Sequence, residues 1–171
     1  MVELHRQNYK ENKKIYNQTV KKLRTKIPNE LPIDHVGSTA IPNMYGKNII
    51  DILIGVLNES DMDYYSDILK ELGFYPGNHN SGLYRFFAST MEETKKGDIH
   101  LHLVYINSDR YKDFLILKNY LLINKEEKKS YSDLKKKIIK DGNNVRSDYK
   151  TIKSEYVTNL INRAKEYMSN I

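Results

Sequence analysis

Residues 35–56 read HVGSTAIPNMYGKNIIDILIGV: a Gly-Ser pair, a loop containing Pro42, Gly46 and Lys47, then one acid inside a run of isoleucines. Ile49–Val56 is rich in β-branched residues and almost continuously apolar, the pattern of a strand central to its sheet. A carboxylate placed there is costly unless something pairs with it. Asp51 therefore needs a partner: a metal ion, an arginine or a structural hydrogen bond. Side chains alternate along a strand, so Asp51, Leu53 and Gly55 share one face while Ile50, Ile52, Ile54 and Val56 share the other. The isoleucine face is expected to pack against helices. Asp51 then opens onto the opposite face, where the Gly-Ser turn could also lie.

Upstream, Tyr16, Val20, Leu23 and Ile27 recur at near-helical spacing, which predicts an amphipathic helix over 8–27 closed by Pro28 and Pro32. A short strand, Ile33–Val36, leads into Gly37-Ser38. Downstream, Ser60 with Asp63 marks a helix start and Gly73 its stop, with Ile68, Leu69 and Leu72 on the buried side. A β region follows: Phe74-Tyr75, the loop PGNHNSG, strand Leu83–Ser89, a turn at KKGD and strand Asp98–Ile106. Ser108 opens three helices, roughly 109–123, 125–140 and 148–168, punctuated by Asn124 and Asp141-Gly142. The expected class is α+β, a short mixed β-sheet with packed helices and a helical C-terminal part. It forms one domain over 1–171, with the site in 1–106 and the helical portion in 107–171.

The 171 residues suffice for a real core, and 39% hydrophobic with 29% charged residues is ordinary for a soluble globular chain. The absence of cysteine excludes disulfides, thiolate catalysis and sulfur-ligated zinc, and suits a reducing cytoplasm. The opening MVELHRQNYKENKK has no apolar signal segment, and no apolar stretch reaches the ~18 residues of a membrane span. A cytoplasmic protein with no membrane contact is expected. A net charge of +6 and a pI near 9.2 suit a polyanionic partner, RNA or a phosphorylated ligand. The lysines are spread among glutamates without an aromatic-basic RNA motif, which places nucleic acid behind a small ligand.

Three constellations could carry chemistry. Gly37-Ser38 after a strand is either a plain turn or an anion-binding one, in which exposed N–H groups and the serine hydroxyl face a phosphate. Asp51 either holds a cation or caps the backbone of the preceding loop. In DIHLHLVYI, alternation puts Asp98, His100 and His102 on one face, and the two imidazoles are close enough to reach one cation. The alternative is a pair of neutral histidines hydrogen-bonded across the sheet. Lys47 could reach a phosphate, and Arg85 could pair with Asp51 or with a ligand. His35 could orient the turn.

The stretch 35–56 closely resembles the signature of the GrpB-like family, a bacterial branch of the nucleotidyltransferase superfamily, with Asn43 where glycine is usual. HLHLV resembles that family's H-L-H-V segment, YSDLKKKI its Y-x-x-L-K element, and DYKTIKSEYVTNLINRA its closing helix through Tyr149, Lys153 and Tyr156. The resemblance implies a nucleotidyltransferase-like fold in which Gly37, Ser38 and Thr39 bind phosphate and Asp51 is the first catalytic acid. It implies metal-dependent transfer of a nucleotide from a nucleoside triphosphate to an acceptor, with Mg, Mn or Zn as the divalent ion. Position 53, where the second acid belongs, is leucine, and the third-acid strand presents His100 and His102. The alternative is therefore a nucleotide- or phospholigand-binding module without transfer chemistry. The family's fusion to dephospho-coenzyme A kinase in some bacteria connects such a ligand to coenzyme A. Tyr149 and Lys153 lie one turn apart and either cover the ligand or pack. The family's helical Arg-Asp pair stands here as Lys118-Asn119.

Overall fold

In the computed structural model, residues 1–89, 99–143 and 145–170 are described. The chain runs β1 (His5–Arg6), α1 (Tyr9–Leu23), β2 (Ile33–Val36), a short 3-10 turn (Ser38–Ala40), β3 (Tyr45–Gly46), β4 (Ile50–Val56) and α2 (Met62–Glu71). It continues through β5 (Tyr75–Pro76), β6 (Tyr84–Ala88), β7 (Ile99–Tyr105), α3 (Asp109–Ile123), α4 (Lys125–Lys140) and α5 (Arg146–Ser169). The KKGD turn and Asp98 lie outside the described residues.

Five strands form a mixed sheet in the order β2-β4-β7-β6-β5, and β1 pairs with β3 in a separate two-stranded ribbon. Among the described strands only β4 and β7 pair in parallel, and their register sets Asp51 beside His100 and Leu53 beside His102. On one face Ile50, Ile52, Ile54 and Val56 join Leu101, Leu103 and Phe87 in a core closed by Leu23 of α1 and by Met62, Ile68 and Leu69 of α2. This is the isoleucine face expected from alternation. On the other face Val36, Leu53, Tyr84 and Val104 pack under Tyr111, Phe114 and Leu115 of α3. A further cluster joins Tyr120 and Leu121 of α3 to Tyr131 of α4, Leu160 and Ala164 of α5, and Ile41 and Met44 from the loop after the turn. The helical part thus packs directly over the signature loop.

Two local expectations are corrected. α1 ends at Leu23, not at the prolines: Thr25 N donates to the Lys22 carbonyl at 3.2 Å and Lys26 N to the Leu23 carbonyl at 3.1 Å, i→i−3 bonds of a tight turn beyond the helix. Its buried positions include Asn12 and Thr19, which apolar spacing alone misses. The Ser60/Asp63 pair forms no capping box. A 3-10 turn over Glu59–Asp61 leads into α2, whose cap position is Asp61.

Candidate functional site

The turn, the acid and the two histidines meet on the α3 side of the sheet. Gly37 adopts φ 72°, a left-handed value that a side chain disfavours. A Cβ there would collide with Asp51 Oδ2, so the glycine is what lets the carboxylate lie against the turn. Gly46 plays the same part for Ser38: a Cβ on Gly46 would strike the serine hydroxyl. Gln7 holds that loop from behind, donating through Nε2 to the Gly46 carbonyl at 2.9 Å while its Oε1 accepts from Asn12 at 3.0 Å.

Asp51 Oδ1 is 3.2 Å from His102 Nε2 and 3.5 Å from His100 Nδ1, with about a quarter of the aspartate side chain exposed. Burial opposes ionisation of this carboxyl, but the hydrogen bonds from both histidines outweigh it and hold the group well below the usual carboxylate range. His102 Nδ1 lies 2.9 Å from the Tyr84 hydroxyl. Burial pushes that phenol up to about 12, so it remains protonated, and the imidazole tautomer sets which of the two groups donates. The chain of contacts runs Tyr84, His102, Asp51, His100.

His35 and Thr39 sit behind the turn. His35 pairs with Ile52 across the β2–β4 ladder, which puts it on the isoleucine side, and its ring stacks on Tyr16 at 4.8 Å. Its Nε2 lies 3.0 Å from Thr39 Oγ1. Desolvation, helped by the charge of Lys118, lowers His35 to about 4, so the ring is neutral. Thr39 is wholly buried and gives its hydroxyl to this contact, so it braces the turn and does not face the cavity.

In front of the turn lies a cavity of about 900 Å³. Among its described lining residues Asp51 is the one acid, against Lys47, Lys118, Lys135, Lys150 and Lys153. Lys47 and Lys153 approach the Tyr149 ring at 5.1 and 6.0 Å. Tyr149 is buried beside Val2 and Ile138 while one edge lines the cavity, so it both packs and faces the site. Lys118 also sits 3.9 Å from Asp34. Lys150 Nζ reaches His79 of the β5–β6 loop at 2.9 Å.

Arg85 does not join this group. It pairs with Leu103 across the β6–β7 ladder and faces the α2 side, with a guanidinium nitrogen 3.1 Å from Asp63. Tyr84 and Phe86, its neighbours in sequence, line the cavity instead. Lys135 was not singled out in the sequence and is central here. It is 2% exposed, donates to the Tyr45 carbonyl, and lies 4.4 Å over the Tyr131 ring. Burial, reinforced by Lys153, lowers it to about 7.

The donor set fits magnesium poorly, since that ion takes oxygen ligands and two of the three groups are imidazoles. Leu53 is fully buried in the α3-side core, so position 53 offers no second carboxylate beside Asp51. Among the described residues, no group of three or more His, Cys, Asp or Glu side chains is arranged to hold a metal ion. The acid and its two histidines satisfy one another directly.

Residues 2–163 match the profile of the family described as GrpB protein, and the chain belongs to that family. It is 30% identical to the glutamate-rich protein GrpB of Alkalihalophilus pseudofirmus over 166 residues, covering 92% of this chain and 91% of the relative. The crystal structure of GrpB from Enterococcus faecalis superposes with a TM-score of 0.81 at 19% identity, over 97% of this chain and 99% of that one, which shows the shared fold. The RNA terminal uridylyl transferase Cid1 overlaps 67% of this chain and 38% of its own with a TM-score of 0.44. No helix among the described residues is long and apolar enough to cross a membrane.

Proposed function

We propose that the chain binds a nucleotide or a related phosphorylated ligand in the cavity before the Gly37-Ser38 turn. The observation that carries this reading is the charge of the lining: among the described residues, Lys47, Lys118, Lys150 and Lys153, with the partly neutral Lys135, face one carboxylate that is already hydrogen-bonded. Phosphate oxygens would accept from the turn and from Lys47 and Lys153. The rest of the ligand would lie on the apolar wall built by Phe86, Phe114 and Leu117. A volume of about 900 Å³ accommodates a ligand of nucleotide size, and coenzyme A-like molecules share the required chemistry.

Nucleotide transfer by two-metal chemistry needs carboxylates that hold both ions against the phosphates. With Leu53 in the second position, the described residues do not supply that pair. The binding reading is tested by isothermal titration of the protein with ATP, GTP, CTP and UTP, each in EDTA and with Mg²⁺ or Mn²⁺, repeated on Lys153→Ala. Saturable binding that weakens several-fold in the variant supports the site. Absence of binding for every triphosphate and for pyrophosphate under all conditions overturns it.

A further inference from the structure

We infer that the cavity takes its phosphorylated ligand free of magnesium, with lysines supplying the countercharge that this ion commonly supplies to a bound triphosphate. This rests on the phospholigand reading above and adds the ionic form of the ligand.

The first support is the state of Asp51. Its Oδ1 faces two imidazole nitrogens at 3.2 and 3.5 Å, and its Oδ2 lies against Gly37. Magnesium demands near-octahedral oxygen ligands and binds imidazole poorly. To enter here it would have to take Oδ1 from both histidines, with no neighbouring carboxylate in place of Leu53.

The second support is the chemistry of the wall. Magnesium keeps several waters when it binds, and those waters are donors that need acceptors. Lysine ammonium groups and backbone N–H groups offer none. They suit bare phosphate oxygens, which only accept. The positions match this task. Lys47 comes from the loop between the turn and β4, while Lys135 of α4 lies buried beneath it and donates to the Tyr45 carbonyl. Lys153 projects from α5, and it and Lys47 converge over the Tyr149 ring. Among the described residues no carboxylate forms an ion pair with Lys153. A cation on the ligand would cancel charge the lysines are placed to meet, and would be repelled by them.

The test is isothermal titration of the full chain with ATP and with pyrophosphate, in EDTA and in excess magnesium, for wild type, Asp51→Asn, Lys153→Ala and the surface control Lys13→Ala. The expected result is binding in EDTA that weakens on the order of tenfold in excess magnesium, since the cation cancels ligand charge. Asp51→Asn should hold or tighten the EDTA affinity, because it removes the one negative charge among the described lining residues. Lys153→Ala should lose several-fold, and Lys13→Ala should match wild type. Binding that requires magnesium, that is equal with and without it, or that Asp51→Asn abolishes in a folded protein, overturns the inference. Absence of binding in both ionic conditions instead defeats the phospholigand reading, and this inference with it.

Discussion

Asp51 and Gly37 are in direct contact: the carboxylate Oδ2 occupies the space that a side chain at position 37 would need, and the glycine's φ of 72° turns the backbone to admit it. Gly37→Ala therefore meets two penalties at once, a steric one and a conformational one. It should destabilise the protein by roughly 1–3 kcal/mol. In the double variant Gly37→Ala/Asp51→Ala the steric part should be relieved and the conformational part should remain. Thermal unfolding of the four proteins in this cycle checks it, and strict additivity would show that the contact carries no energy.

His35 is buried neutral, lowered to about 4 in the folded protein from an ordinary value of 6.5. Between those two pH values the unfolded chain binds more protons than the folded one, so stability falls as pH drops through the window. His35→Phe should keep the stack on Tyr16 while removing the titration. Relative to that variant, wild type should lose about 3 kcal/mol between pH 6.5 and pH 4. Denaturant titrations of both proteins across the window measure this, and parallel curves would rule it out.

Lys135 gives the same sign on the alkaline side. Its folded value of about 7 lies below the ordinary 10.5, so the unfolded chain holds the extra proton between them and stability rises with pH. Relative to Lys135→Met, wild type should gain about 2 kcal/mol from pH 7 to pH 9. A pH-independent difference between the two proteins would mean that the ammonium is fully solvated.

Arg85 faces Asp63 on the α2 side of the sheet. Arg85→Ala should therefore leave nucleotide affinity within about twofold of wild type, since an exposed ion pair of this kind contributes only about 0–1 kcal/mol and is remote from the ligand. A large loss of affinity in titration would return Arg85 to the site.

Sheet and site were legible to different depths. Period-2 alternation correctly put Asp51 opposite the isoleucines and His100 with His102, because each strand has one plainly apolar face. The same rule could not place Arg85. In Tyr84–Ala88 both faces carry aromatic residues, so only the register with β7 decides which one meets Asp51. The β1–β3 ribbon was invisible, being two residues on each side with no hydrophobic pattern. Lys135 was hidden among Lys136 and Lys137, which composition cannot tell apart. The available signal was helical phase: Tyr131, Leu134 and Ile138 form the apolar stripe of α4, and Lys135 falls on it, four residues after Tyr131 and three before Ile138.

The parallel β4–β7 ladder carries a kinetic consequence. Asp51 meets His100 across a pairing that no hairpin can nucleate, and Lys135 and Lys153 join from helices still further along the chain. Contacts so distant in sequence bear their loop-closure entropy before they return any enthalpy. On a translating ribosome the Gly-Ser turn and its acid emerge long before their histidines and lysines. A nascent chain that has made only the signature loop holds a carboxylate with neither imidazole beside it and no basic wall in front. Ligand affinity should therefore appear in one step, as α5 docks, and not accumulate as the chain lengthens.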